Sequence, residues 1–177
     1  MRGILIIGLL SALVAARAPA QARPAEAAAS PECRSPEHRQ FDFWIGDWDA
    51  YDLPDTGKAV ARIQVAPIMG GCVLREVYDQ GDGLDGESFS LWDAPRKRWH
   101  QSWVTNRGSL LLLEGRLEGR RMVLTAPEWK PDGSSTLLRG MWWPDGENVR
   151  HQAERSADGG RTWAPVWDML FRPRRAK

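Results

Sequence analysis

Residues 97–126 read KRWHQSWVTNRGSLLLLEGRLEGRRMVLTA. Three runs rich in Trp, Val, Leu and Thr, over 97–105, 109–115 and 120–126, are broken by Asn106-Arg107-Gly108 and by Glu118-Gly119. Such breaks supply residues that tolerate the positive φ of tight turns, so two successive hairpins are expected. The same punctuation recurs outward on both sides, at Gly81-Asp82-Gly83, Asp93-Ala94-Pro95, Pro131-Asp132-Gly133, Asp145-Gly146 and Asp158-Gly159-Gly160. It predicts further strands near 47–53, 59–67, 72–79, 86–93, 135–143, 147–155 and 162–172, about ten in all. No helical pattern long enough for a crossover lies between them, so neighbours are expected to be antiparallel and in up-and-down order. An open sheet of that size leaves two bare edges, and closure removes them. The expected fold is therefore all-β, a single antiparallel up-and-down β-barrel occupying 35–177. Eight strands just hold side chains or one small ligand, and ten enclose more. The chain also has 10 Trp, enough to fill much of an interior, and the sequence leaves both outcomes open.

Upstream of the strands, Ser35-Pro36-Glu37 offers an N-cap, a proline at the first helical position and an acid in the first turn, and Gly46 offers a stop. These signals predict a short helix from Pro36 to about Ile45, with Phe41, Trp44 and Ile45 on one apolar stripe. Residues 23–34 are Ala- and Pro-rich without apolar periodicity and read as a flexible lead-in. Residues 1–22 combine Arg2, an apolar run from Ile4 to Ala16 and small residues up to Ala22, the pattern of a secretory signal peptide. As a helix the run spans roughly 20 Å against a bilayer core of about 30 Å, so stable membrane insertion is not expected. The protein is expected to be periplasmic or secreted.

Charge excludes one large class of function. With 24 Lys and Arg against 23 Asp and Glu, the chain carries no basic excess that would favour nucleic acid. Export changes the meaning of Cys33 and Cys72, the only cysteines, because an oxidising compartment lets thiols pair. A bridge closing about 39 residues would contribute roughly 4 kcal/mol in the chain-entropy model. Cys72 as a small buried hydrophobe is the alternative reading.

Gly46-Asp47-Trp48 is similar to the G-x-W start of lipocalins and other calycins, and a longer series is more specific: Phe41-Asp42-Phe43-Trp44-Ile45-Gly46-Asp47-Trp48, Gly70-Gly71-Cys72-Val73-Leu74-Arg75-Glu76, Trp99-His100-Gln101-Ser102-Trp103-Val104, and Val149-Arg150-His151-Gln152 through to Thr162-Trp163. Together these resemble an exported bacterial family of unassigned function, the DUF1579-like, lipocalin-like proteins, over roughly residues 33–172. The resemblance implies a calycin-type barrel and a Cys33 to Cys72 bridge, and no established activity. It also implies that Trp48 closes one barrel end beneath an Arg from the last strand, Arg172 or, as second choice, Arg174. The chain lacks the paired Arg and Tyr near its end that fatty-acid-binding relatives use to hold a carboxylate.

Ser156-Ala157-Asp158-Gly159-Gly160-Arg161-Thr162-Trp163 matches an Asp-box. It occurs once and without a blade-length repeat, so Ser156, Asp158, Gly160 and Trp163 are read as the frame of one hairpin. His38, His100 and His151 have no metal-binding spacing, no G-x-S-x-G is present, and no cofactor loop appears, so neither a metal nor a cofactor is expected.

What remains is a set of polar residues on otherwise apolar strands: Glu76, Ser88, Gln101, Arg139, Gln152 and Glu154. Trp99, Gln101 and Trp103 alternate on one strand face, as do Gln152 and Glu154. Facing inward they would form a polar patch in an aromatic cavity, the composition of a small-molecule site; facing outward they would be wall residues. An inward Arg139 would need a carboxylate from Glu76 or Glu154. Three functions compete. The first is an exported binder of a small, partly apolar molecule, with a ligand site of Glu76, Trp99, Gln101, Trp103, Arg139, Gln152 and Glu154. The second is a calycin-type enzyme using buried Glu76 or Glu154 as general acid or base. The third is a filled barrel that meets a protein partner through its rim loops. The sequence carries no reading of oligomeric state.

Overall fold

The computed structural model describes residues 31–174. The expected signal peptide, residues 1–22, and most of the lead-in lie outside the described residues. Ten strands follow one another in chain order: β1 (Gly46–Asp52), β2 (Ala61–Ile68), β3 (Val73–Asp79), β4 (Asp85–Asp93), β5 (Arg98–Thr105), β6 (Leu110–Glu118), β7 (Arg121–Trp129), β8 (Ser135–Asp145), β9 (Asn148–Ser156) and β10 (Ala164–Pro173). Each pairs antiparallel with its predecessor, and β1 pairs with β10, with Ala50 opposite Phe171, so the sheet closes into a barrel. The all-β, up-and-down architecture read from the turns is the one observed.

Alternation sends one face of every strand inward. Trp48 and Ala50, Ile63 and Val65, Leu74 and Glu76, Ser88 and Ser90, Trp99 and Gln101, Leu124 and Ala126, Leu138 and Trp142, Val149 and Ala153, and Met169 and Phe171 are all buried. Two glycines leave room for indoles. A Cβ on Gly86 would lie 2.3 Å from the Trp103 ring, and one on Gly140 would lie 2.5 Å from the Trp142 ring. The side chain missing at each position is the space its neighbour's ring occupies.

One end of the barrel is plugged. The expected helix over Pro36–Ile45 is instead two single 3-10 turns, Pro36–Arg39 and Asp42–Trp44, with Phe41 at φ −108, ψ 5 between them. The tighter winding eclipses residues three apart, which puts Phe41 and Trp44 on the same side. Their rings stack at 4.9 Å, and Phe41 also packs edge-on against Trp99 and Trp142. Burying each such aromatic contributes about 1.5 to 3 kcal/mol, so the plug is a large part of the core. The Cys33–Cys72 disulfide ties it to the β2–β3 connection. Arg39 donates across the same junction to the carbonyls of Gly71 and Cys33. Pro31–Cys33 already forms a 3-10 turn ahead of Ser35.

Trp48 closes this end from the barrel side, its Nε1 donating to the Trp44 carbonyl at 3.0 Å. Arg172 does not cover it, contrary to the expectation. Arg172 is paired across from Asp49, on the outer pleat, and its guanidinium lies over Tyr51 at 4.7 Å. Arg174, the second choice, reaches Asp49 instead. The one-residue offset from Phe171, which is buried, turns Arg172 to the outer face of the barrel, away from the inward Trp48.

The Asp-box forms the β9–β10 hairpin. Asp158 accepts bonds from the Arg161 and Thr162 backbone N–H groups and the Thr162 hydroxyl. Those bonds, the backbone one from Thr162 first, hold its carboxyl down at about 2. Ser156 Oγ donates to Asp158 and accepts from the Gly160 N–H, while Trp163 Nε1 donates to the Gly160 carbonyl. Among the described residues no helix is long and apolar enough to cross a membrane.

Candidate functional site

Because the plug occupies one end only, the barrel keeps a cavity of about 360 Å³ towards the other. Its mouth is set by strand ends and turns, at Asp52, Gln80, Leu84, Thr105 and Leu111. Its depth is lined by Glu76, Gln101, Leu113, Trp142, His151 and Phe171, with Tyr78, Trp103, Trp167 and Met169 between.

One wall of the cavity is polar. Cross-strand register places Glu76 opposite Ser88, and Ser90 opposite Gln101. Ser88 Oγ donates to Glu76 Oε2 at 2.7 Å, and Gln101 Nε2 donates to Ser88 Oγ at 3.3 Å and to Ser90 Oγ at 3.0 Å. Among the described residues nothing bonds Glu76 Oε1. Glu76 is 7% exposed. Burial pushes its carboxyl up to about 7, against the opposing effect of the Ser88 bond. Above it, Tyr78 donates to Gln80 Oε1 and meets the Trp103 edge at 5.7 Å. Its phenol is pushed up to about 12 by burial, with Asp52, Glu76 and Asp82 adding to the rise.

The facing wall is aromatic and centres on His151. Its ring stacks on Trp142 at 4.2 Å and meets the rings of Trp167 and Phe171 edgewise. Trp167 Nε1 donates to His151 Nε2 at 3.4 Å, which leaves the ring proton on Nδ1. Burial drives the pKa down to about 3, partly offset by Asp168, so the imidazole is neutral at physiological pH. Among the described residues no three or more His, Cys, Asp or Glu side chains gather closely enough to hold a metal ion.

The expected ligand residues divide into three groups. Glu76, Gln101 and Trp103 line the cavity together. Trp99 faces inward but is spent in the plug, 1% exposed, with Nε1 donating to Gln40 Oε1. Arg139, Gln152 and Glu154, expected in the ligand site, are instead on the outer wall. On β8 it is Leu138, Gly140 and Trp142 that reach the cavity, so Arg139 between them points away. On β9 buried Val149 and Ala153 flank cavity-lining His151, which turns Gln152 and Glu154 outward. Arg139 does pair with Glu154, and its guanidinium lies 4.0 Å over the Trp163 ring, so the pair braces the Asp-box hairpin. Gln152 donates to Asp168, which Arg150 also holds. Of the two acid–base candidates, only Glu76 is therefore inside.

Sequence reasoning missed His151, Trp142, Trp167, Tyr78 and Asp52. The signal was present in β9: Val149 and Ala153, which flank His151 at alternate positions, are small and apolar, while Arg150, Gln152 and Glu154 are uniformly polar and belong to the solvent face. No protein-family model matches the chain, and no match is found among curated proteins.

Proposed function

We propose that the protein is an exported, lipocalin-like binder that holds one small, partly apolar molecule inside the barrel. The observation that carries this reading is a cavity of about 360 Å³, open at one end, in which aromatic rings face a short polar wall of Glu76 and Gln101, both bonded to Ser88. That size and composition belong to small-molecule sites. The Cys33–Cys72 disulfide supports an oxidising compartment, periplasmic or extracellular, in agreement with the signal-like residues 1–22. The Gly46-Asp47-Trp48 start and the closed antiparallel barrel are in keeping with a calycin-type architecture.

The test is a titration of the protein, produced in a bacterial periplasm, with the uncharged fluorophore N-phenyl-1-naphthylamine. One saturable site is expected, lost when Leu111→Trp fills the mouth. A signal unchanged in Leu111→Trp, or no saturable binding by the wild type, refutes an internal site and leaves the rim loops as the working surface. Native mass spectrometry of the same preparation identifies any molecule that co-purifies.

A further inference from the structure

The charges that line the cavity have one sign. Asp52 and Glu76 are acids, no Lys or Arg of the described residues reaches the lining, and His151 is neutral. The nearby arginines are committed on the outer wall, Arg75 to Glu87, Arg139 to Glu154 and Arg150 to Asp168. Among the described residues Glu76 is thus a buried carboxylate without a cation. Its Oε2 is satisfied by Ser88, and its Oε1 accepts nothing from the described residues. Leaving a carboxylate in that state is costly, and the favourable remedies are a proton or a positive charge placed against the free oxygen. The rings of Tyr78 and Trp103 line the same cavity, and ring faces attract cations and repel anions.

Resting on the binder reading above, we propose that the cavity selects small monocationic amines with an aromatic or branched apolar body, the ammonium seated on Glu76 Oε1. A single free oxygen suits the point charge of an ammonium better than the two-pronged guanidinium, which needs both carboxylate oxygens. Asp52 at the mouth meets the cation first and draws it inward, while the same pair of acids excludes carboxylate ligands. The body of the ligand then lies among Trp103, Trp142 and Leu113, and Gln101 is held by Ser88 and Ser90 so that its carbonyl oxygen is left for the ligand.

The test uses three ligands that share one ring: phenethylamine as the cation, 2-phenylethanol as the neutral form and 3-phenylpropanoate as the anion. Each is titrated calorimetrically into the full mature protein near neutral pH. Phenethylamine is expected to bind about tenfold or more tighter than 2-phenylethanol, with 3-phenylpropanoate weakest. Glu76→Gln keeps an acceptor for Ser88 and removes the charge. It should bring phenethylamine to the affinity of 2-phenylethanol while moving the alcohol by no more than about twofold. Asp52→Asn, at the exposed mouth, provides a second variant that does not touch the core and should slow amine association. Equal affinities for amine and alcohol, or an amine affinity unchanged in Glu76→Gln, overturn the charge selection and leave the internal site standing. If none of the three ligands binds and N-phenyl-1-naphthylamine also fails, the binder reading itself falls and takes this inference with it.

Discussion

Replacing Glu76 with Gln should stabilise the protein, and by an amount that depends on pH in a defined way. In the folded state Glu76 releases its proton near 7, and in the unfolded chain near the ordinary 4.5. Between those values the folded protein holds a proton that the unfolded chain has lost, so rising pH favours unfolding. The contribution of this group is complete below 4.5 and gone above 7. At 1.36 kcal/mol per pH unit the difference amounts to about 3 kcal/mol. Gln does not titrate, so the stability of Glu76→Gln minus that of wild type should climb by about 3 kcal/mol across the interval and stay level outside it. Other titrating groups cancel in the subtraction. His151 matters for the wild-type curve alone: its pKa falls from 6.5 to about 3 on folding, so its contribution is lost as pH drops through that range. The two slopes oppose each other between 4.5 and 6.5, and the wild-type curve should be nearly flat there. Urea unfolding followed by far-UV circular dichroism, at about pH 4, 5.5 and 8, measures both curves. A difference that stays constant across pH, or that falls as pH rises, refutes the uncompensated burial of Glu76.

Removing the disulfide with Cys33→Ser and Cys72→Ser together should cost about 4 kcal/mol, read from the urea midpoint; an unchanged midpoint would mean that the plug is held without it. Arg139→Ala should cost about 1 kcal/mol through loss of the Glu154 pair and the Trp163 contact, yet leave binding of N-phenyl-1-naphthylamine unchanged, and a large affinity loss would contradict its outer-wall position. Gly86→Ala should displace the Trp103 ring, seen as an altered near-UV dichroism spectrum, at a cost of about 1 to 3 kcal/mol; an unaltered spectrum would show that the ring does not occupy the space over Gly86.

The barrel was legible because each β-turn carries its own chemistry, and ten turn-bounded runs leave few other ways to bury their faces. What the turns do not fix is which face of a strand turns inward. On β5 the alternation put Trp99, Gln101 and Trp103 on one face and left open whether that face is inside; it is, and Gln101 and Trp103 line the cavity. On β8 and β9 attention to conspicuous polar residues selected Arg139, Gln152 and Glu154, although the apolar alternation beside them marks the opposite face as internal. The 3-10 winding of the plug had no local signal, because Ser35, Pro36 and Glu37 start either kind of helix equally well. Tertiary packing of Phe41 and Trp44 decided it. The stack of His151 on Trp142 depends on register between two strands, which the residues of either strand alone do not specify.

Closure of the barrel by β1 and β10 also has a consequence for how the molecule forms. The Arg174–Asp49 contact at this seam joins residues 125 positions apart. Every other hairpin can assemble from neighbours in the chain, but the seam waits for the last strand to emerge. A polypeptide delivered from its N-terminal end therefore passes through a stage in which β1 and the most recently formed strand are both unpaired edges. Such a chain should fold slowly for its size, and a truncation ahead of Ala164 would leave that stage as the end point, an open sheet prone to pair with copies of itself.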